Sequence, residues 1–84
     1  MNGKQTYIVK AYDSNGVQIN FWRWSCKRAS TCKKQHLQAF RDYPELYELK
    51  KTSKLVCYET PDGLNESGTA WTLSHNEIIK ELEA

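Results

Sequence analysis

The chain is predicted to fold as one small α+β domain over residues 1–84: an antiparallel sheet of three to four strands, one main helix packed on one face and a short C-terminal helix at the edge or on the other face, in the order β-β-α-β-(β)-α. Three observations predict it. Residues 5–24 read as two extended runs around an Asp-Ser-Asn-Gly turn, residues 30–43 repeat apolar side chains at helical spacing, and Ser74-His75-Asn76-Glu77 carries a helix-opening signature. The 84 residues leave room for one domain only, because domains take at least about fifty residues and usually a hundred or more.

The turn Asp13-Ser14-Asn15-Gly16 decides which side chains of the first hairpin share a face. A two-residue Asn-Gly loop would set Ile8, Lys10 and Tyr12 beside Val17, Ile19, Phe21 and Arg23, mixing charge into the apolar side. A three-residue loop, Ser14-Asn15-Gly16, with Gly16 left-handed in a glycine bulge, shifts the pairing by one. Tyr7, Val9 and Ala11 then join Val17, Ile19 and Phe21 on one apolar face, the arrangement a half-buried sheet rewards, and this register is the expected one. It sends Ile8, Lys10, Tyr12, Gln18, Asn20, Trp22 and Trp24 to the opposite face.

A helix follows with Ser30 or Thr31 as its N-cap, since a side-chain oxygen there accepts a free backbone N–H of the first turn. It stops near Tyr43 because Pro44 disfavours helical geometry in the residue before it. At 100° per residue Cys32, His36, Ala39, Phe40 and Tyr43, flanked by Leu37, form one apolar stripe, while Lys34, Gln38 and Arg41 point away. Residues 47–54 are ambiguous. Leu55-Val56-Cys57-Tyr58 is apolar on both sides and reads as an interior strand. Thr60-Pro61-Asp62-Gly63-Leu64 is turn chemistry again, with Gly63 supplying positive φ, and implies a return strand before Leu73. At the C-terminal helix Ser74 and Glu77 make a capping box, Leu73 staples onto Ile78, and Ile78, Ile79 and Leu82 form the apolar side.

Composition narrows the function. At 39% hydrophobic and 26% charged, the chain is too apolar for disorder and carries no collagen-like repeat. A domain this small buries little surface and spares few residues for strained catalytic geometry, which points to a binding module and not an enzyme. Three cysteines, an odd number, argue against a disulfide framework, and MNGKQTYIVK lacks the apolar segment of a secretory signal. The longest apolar run is the four residues 55–58, so the expectation is a cytoplasmic protein with no membrane partner. Charge is distributed unevenly. Residues 1–42 hold eight cations against two carboxylates, and residues 43–84 hold four against eight. Between Asp13 and Asp42 there is no acidic side chain, so the first half should carry a positive field that attracts phosphate or an acidic protein.

The candidate site is the stretch Phe21-Trp22-Arg23-Trp24-Ser25-Cys26-Lys27-Arg28 with the polar sheet face. Indole and phenol rings stack on bases and adjacent cations neutralise phosphates. Trp22, Trp24 and Tyr12 are the expected stackers, and Lys10, Arg23, Lys27, Arg28, Lys33 and Lys34 the expected phosphate contacts. Against this stands the possibility that the C-terminal helix covers both indoles as core. The same aromatic and basic residues would also serve a protein-interaction module, a small inhibitor or regulator that binds an acidic partner surface, and exposed edge strands would allow a homodimer.

Over residues 5–42 the order hairpin, basic linker, helix, with Tyr7, Val9, Tyr12, Gly16 and the Ser30 cap, resembles the arm-type DNA-binding domains of phage integrases. The resemblance covers less than half the chain and implies a small sheet lying in a major groove, although tryptophans stand where those domains place polar and basic readers. Cys32, near Arg28, Lys33, Lys34 and His36, is the one candidate for a reactive thiol, and the alternative is a cysteine acting as a small hydrophobe in the stripe. Cys26, Cys32, His36 and Cys57 supply zinc-ligating atoms, but without the paired spacing of a zinc site. No cofactor motif, phosphate-cradling glycine loop or catalytic carboxylate pair is present, so no cofactor, metal or catalytic residue is expected.

Overall fold

The structure, a computed structural model, describes residues 5–61 and 65–83. Strands β1 (Gln5–Tyr12) and β2 (Gln18–Cys26) lead into helix α1 (Ala29–Asp42); a 3₁₀ turn (Leu49–Lys51), strands β3 (Lys54–Thr60) and β4 (Gly68–Ser74) and helix α2 (His75–Glu83) follow. The four strands form one antiparallel sheet in the order β2-β1-β3-β4, so β3 is interior, as its apolar run requires. Both helices lie on the same side of the sheet. Tyr7, Val9, Ala11, Leu55, Cys57 and Leu73 from the strands close against Cys32, Leu37 and Phe40 of α1 and Ile78 of α2 in a single core. The short C-terminal helix thus sits beside α1 and not on the other face. Arg41 Nη2 donates to the Glu81 carbonyl at 2.8 Å and Lys33 Nζ lies 3.5 Å from Glu81 Oε2, tying the two helices together.

The hairpin turn forms as its residues dictate. Gly16 adopts φ 81°, its N–H donates to Asp13 O at 3.0 Å, and the Asp13 N–H donates to Val17 O at 2.9 Å. The Asp13 carboxylate also accepts the N–H groups of Asn15 and Val17, at 2.9 and 3.0 Å. The register beyond the turn differs from the expectation. Tyr12 pairs with Gln18, but Ala11 pairs with Asn20, so Ile19 is an extra residue on β2. This second bulge reverses every side chain after it: Val9 lies opposite Trp22 and Tyr7 opposite Trp24. Trp22 and Trp24 therefore join the helix-covered face, while Phe21 is left 51% exposed; Val17, on the turn side of the bulge, is 57% exposed.

Helix α1 also starts earlier than its cap signal implies. Arg28, without a side-chain cap, holds the N-cap position in place of Ser30 or Thr31. The Cys32 N–H donates to Arg28 O at 3.2 Å, and the Trp71 indole N–H donates to Ala29 O at 3.0 Å, fastening the first turn to β4. At the other end Tyr43 leaves helical geometry at φ −137°, ψ 62° before Pro44, so the last residue of the expected stripe points outward, 60% exposed. The capping box of α2 forms as read: Ser74 N–H donates to Glu77 Oε1 at 3.0 Å and Glu77 N–H to Ser74 Oγ at 3.3 Å. These bonds hold the Glu77 carboxyl below the usual range. The Gly63 turn lies outside the described residues. Among the described residues no helix is long and apolar enough to cross a membrane.

A methyl group at Gly16 would meet no atom within 4 Å, so its substitution tests backbone conformation alone. Gly16→Ala is expected to destabilise the fold by about 1–2 kcal/mol, the cost of left-handed backbone for an L side chain, and Gly16→Asn by less. Urea midpoints of the two variants check this.

Candidate functional site

Alternation of side chains along the strands divides the sheet into two unlike faces. On the helix-covered face the indoles of Trp22 and Trp24 pack around His36, which is fully buried. Phe40 and Tyr47 complete the ring cluster, each edge-on to the imidazole at 4.9 and 5.6 Å between centroids, and Tyr47 stacks on Trp22 at 4.9 Å and 22°. Tyr47 comes from the segment after α1, which turns back through Glu48 in left-handed geometry at φ 54°. The Glu48 carbonyl accepts from the Thr52 N–H at 3.1 Å and the Thr52 hydroxyl at 2.9 Å, and its carboxylate accepts from Asn20 Nδ2 at 2.7 Å. Those bonds sustain a conformation that a non-glycine residue seldom adopts.

His36 is a structural histidine. Its Nδ1 accepts the Trp24 indole N–H at 3.0 Å, so the neutral ring carries its proton on Nε2, which is buried and finds no hydrogen-bond partner among the described residues. Burial lowers its pKa from the ordinary 6.5 to about 4. Cys32 and Cys57, both fully buried, bring their sulfurs to 3.9 Å. The contact with Cys57, together with burial, pushes the Cys32 thiol well above its usual range, which is the behaviour of a small core side chain and not of a poised nucleophile. Among the described residues no three histidine, cysteine or acidic side chains are grouped to hold a metal ion.

The other face has no helix over it among the described residues. Its rows across β2, β1 and β3 are Gln18-Tyr12-Lys54, Phe21-Lys10-Val56 and Arg23-Ile8-Tyr58. Strands β1 to β4 contain three cations, Lys10, Arg23 and Lys54, and all three fall on this open face; their one carboxylate, Glu59, pairs with Tyr7 on the opposite face. Aromatic rings interleave with the cations. Lys10 Nζ sits 5.1 Å from the Tyr58 ring centre and Lys54 Nζ 5.7 Å from that of Tyr12, both within cation–π range. Burial and a side-chain hydrogen bond with Tyr58 raise the Tyr12 phenol pKa. Lys10 Nζ also meets Glu66 Oε2 at 2.7 Å.

The structure brings Lys10, Tyr12 and Arg23 together, and separates the other expected residues from them. Trp22 and Trp24 are half-buried on the helix side, covered by α1 and Tyr47 and not by the C-terminal helix, so neither indole belongs to the open face. Lys33 and Lys34 belong to α1, across the sheet from Lys10, and Lys33 is drawn to Glu81. Lys27 and Arg28 are exposed where β2 passes into α1, four and five residues beyond Arg23. Of this face, sequence reasoning missed Lys54 and Tyr58 and set Phe21, inside the candidate stretch, on the apolar face instead. The alternation of Lys54 and Tyr58 with core-facing Leu55 and Cys57 was the signal available for the first two. No family model matches the chain, and neither a curated protein nor a solved structure matches it.

The sign of the His36 shift sets an acid limit on the fold. Its folded pKa lies below the unfolded value, so the unfolded chain takes up the proton first as pH falls. The His36 contribution is complete above pH 6.5 and is lost between 6.5 and about 4, for a total of about 3 kcal/mol. Urea titrations followed by tryptophan fluorescence at pH 7 and 4.5 should show this loss. His36→Gln, which keeps an acceptor for Trp24 but does not titrate, should lose less over the same interval.

Proposed function

We propose that this chain is a small non-catalytic module that binds nucleic acid through the open face of its sheet. One observation carries the reading: the three strand cations gather on one face among Tyr12, Phe21 and Tyr58, while the strand carboxylate lies on the other. Separated cations on a flat surface match a row of phosphates, and rings between them offer contacts to bases or sugars. Exposed Lys27 and Arg28 add positive charge past the end of β2, four and five residues beyond Arg23. The module uses no thiolate, metal or cofactor for this role.

The second reading is an acidic protein partner on the same face, and the exposed Phe21 and Arg23 on the edge strand β2 favour it, since aromatic and arginine side chains are common anchors of protein interfaces. The two readings separate by direct titration. Fluorescence anisotropy with labelled oligonucleotides should show binding at 50 mM salt that weakens about tenfold on raising salt to 200 mM, the response of two or more phosphate contacts. Arg23→Ala with Lys54→Ala should reduce binding at every oligonucleotide sequence and flatten the salt response. Trp22→Ala should instead lower the urea midpoint, because that indole belongs to the core. Absence of binding to single- and double-stranded oligonucleotides at 50 mM salt would leave the protein-partner reading standing alone.

A further inference from the structure

The positions of the cations on the open face specify more than a positive patch. Arg23 on β2 lies in the row of Ile8, Lys10 on β1 lies one row on, and Lys54 on β3 lies one row beyond that, in the row of Tyr12. The three therefore form a diagonal across successive strands. One strand spacing combined with a two-residue step makes each interval about 8 Å and the whole track about 17 Å. On one flank Phe21 and Tyr12 form a parallel diagonal; on the other, Ile8 and Val56 are buried, and Tyr58 stands beyond them.

The geometry points to a single strand of DNA or RNA as the ligand, its backbone following Arg23, Lys10 and Lys54 and its bases turned onto the flanking rings. This rests on the nucleic-acid reading above and narrows it. A duplex fits less well. The outer strands of a four-stranded sheet lie about 14 Å apart, whereas the major groove is about 12 Å wide and takes a helix or a two-stranded ribbon. A narrow charged track flanked by rings is the arrangement that holds unpaired bases, because every base has a face to stack and the backbone needs only phosphate contacts. Contact is with a short run of nucleotides, at the small end of the about 4–16 that single-strand-binding folds cover.

Glu66 occupies the middle of that track. Its carboxylate contacts the Lys10 ammonium at 2.7 Å, so it holds the position the central phosphate would take. A bound strand displaces it, and the lysine exchanges an internal anion for the ligand's. Lys10 then adds little to counterion release in the natural chain and adds fully once Glu66 is neutral.

The test is anisotropy of the whole chain with a labelled 12-nucleotide oligo(dT), a mixed-sequence single strand of the same length, and the duplex of that mixed sequence, from 50 to 200 mM salt. Both single strands should bind at least tenfold more tightly than the duplex. Phe21→Ala, at a side chain already 51% exposed, should weaken single-strand binding about tenfold or more with an unchanged urea midpoint. Glu66→Gln should tighten single-strand binding and steepen the log–log salt slope by about 0.7, one further phosphate contact. Equal or tighter binding of the duplex, or a Phe21→Ala variant that binds single strands as the natural chain does, overturns the single-strand assignment and leaves the nucleic-acid reading intact. Failure of all three probes to bind at 50 mM salt overturns both. An unchanged slope in Glu66→Gln removes Lys10 from the track.

Discussion

Two indole rings on one strand of an outer hairpin determine which side of the sheet receives the helices. Even half-buried, Trp22 and Trp24 each take on the order of 100 Å² of largely apolar surface out of water, about 2.5 kcal/mol apiece at 25 cal/mol/Å². The competing register would bury Phe21 instead, worth about 2 kcal/mol, and leave both indoles wet. Moving from one to the other requires one extra residue in β2, and the bulge at Ile19 disrupts the ladder locally at a cost of about 1 kcal/mol. The two indoles, about 5 kcal/mol together, still outweigh the lost burial of Phe21 and the bulge combined. The indole N–H of Trp24 then needs an acceptor, and His36 provides one one turn beyond Cys32 on the buried side of α1. From that bond follow the neutral imidazole, the ring cluster that draws Tyr47 back over it, and the left-handed turn at Glu48.

The same bulge creates the candidate interface. Reversing β2 after Ile19 brings Arg23 to the side that already held Lys10 and Tyr12, and pairing with β3 adds Lys54 and Tyr58. Had the bulge been absent, Arg23 would have pointed at the helices, a charged side chain directed into the core side, which is itself a reason for the observed register. The electrostatics of the open face and the packing of the covered face thus arise from one local irregularity.

Much of the architecture was legible in the residues. Gly16 with Asp13 specified the loop, Pro44 the end of α1, Leu55 to Tyr58 an interior strand, and Ser74 with Glu77 the start of α2, because each signal acts within a few residues of where it lies. The face of β2 was not legible, since the bulge at Ile19 has no glycine or other local mark and is decided by contacts with His36 and Tyr47, twelve or more residues away in sequence. The start of α1 failed for a like reason: Ser30 and Thr31 advertise a cap, but the Trp71 indole bond to Ala29 O and the fit of Cys32 on Cys57 hold the start of the helix two or three residues earlier. The candidate site inherited the error in β2, keeping its chemical character, aromatic and cationic, while exchanging two tryptophans for Phe21 and Tyr58.

On the proposed reading, stability and recognition fall on opposite faces of a single sheet, so each can be altered with little effect on the other. The core on the helix side depends on fully buried groups such as Phe40, Leu55 and His36, where any change in size or polarity is felt. Arg23 and Phe21 on the open side are exposed on an edge strand, where substitution costs the fold little. Ile8 and Val56 are the exception. They are buried on the open side, apart from the main core, and they form the floor on which the surrounding lysine and tyrosine side chains lie. A polar substitution at either position would disturb both the sheet and the spacing of Lys10 from Tyr58, so at this floor the packing of the sheet and the geometry of the proposed track are mechanically joined.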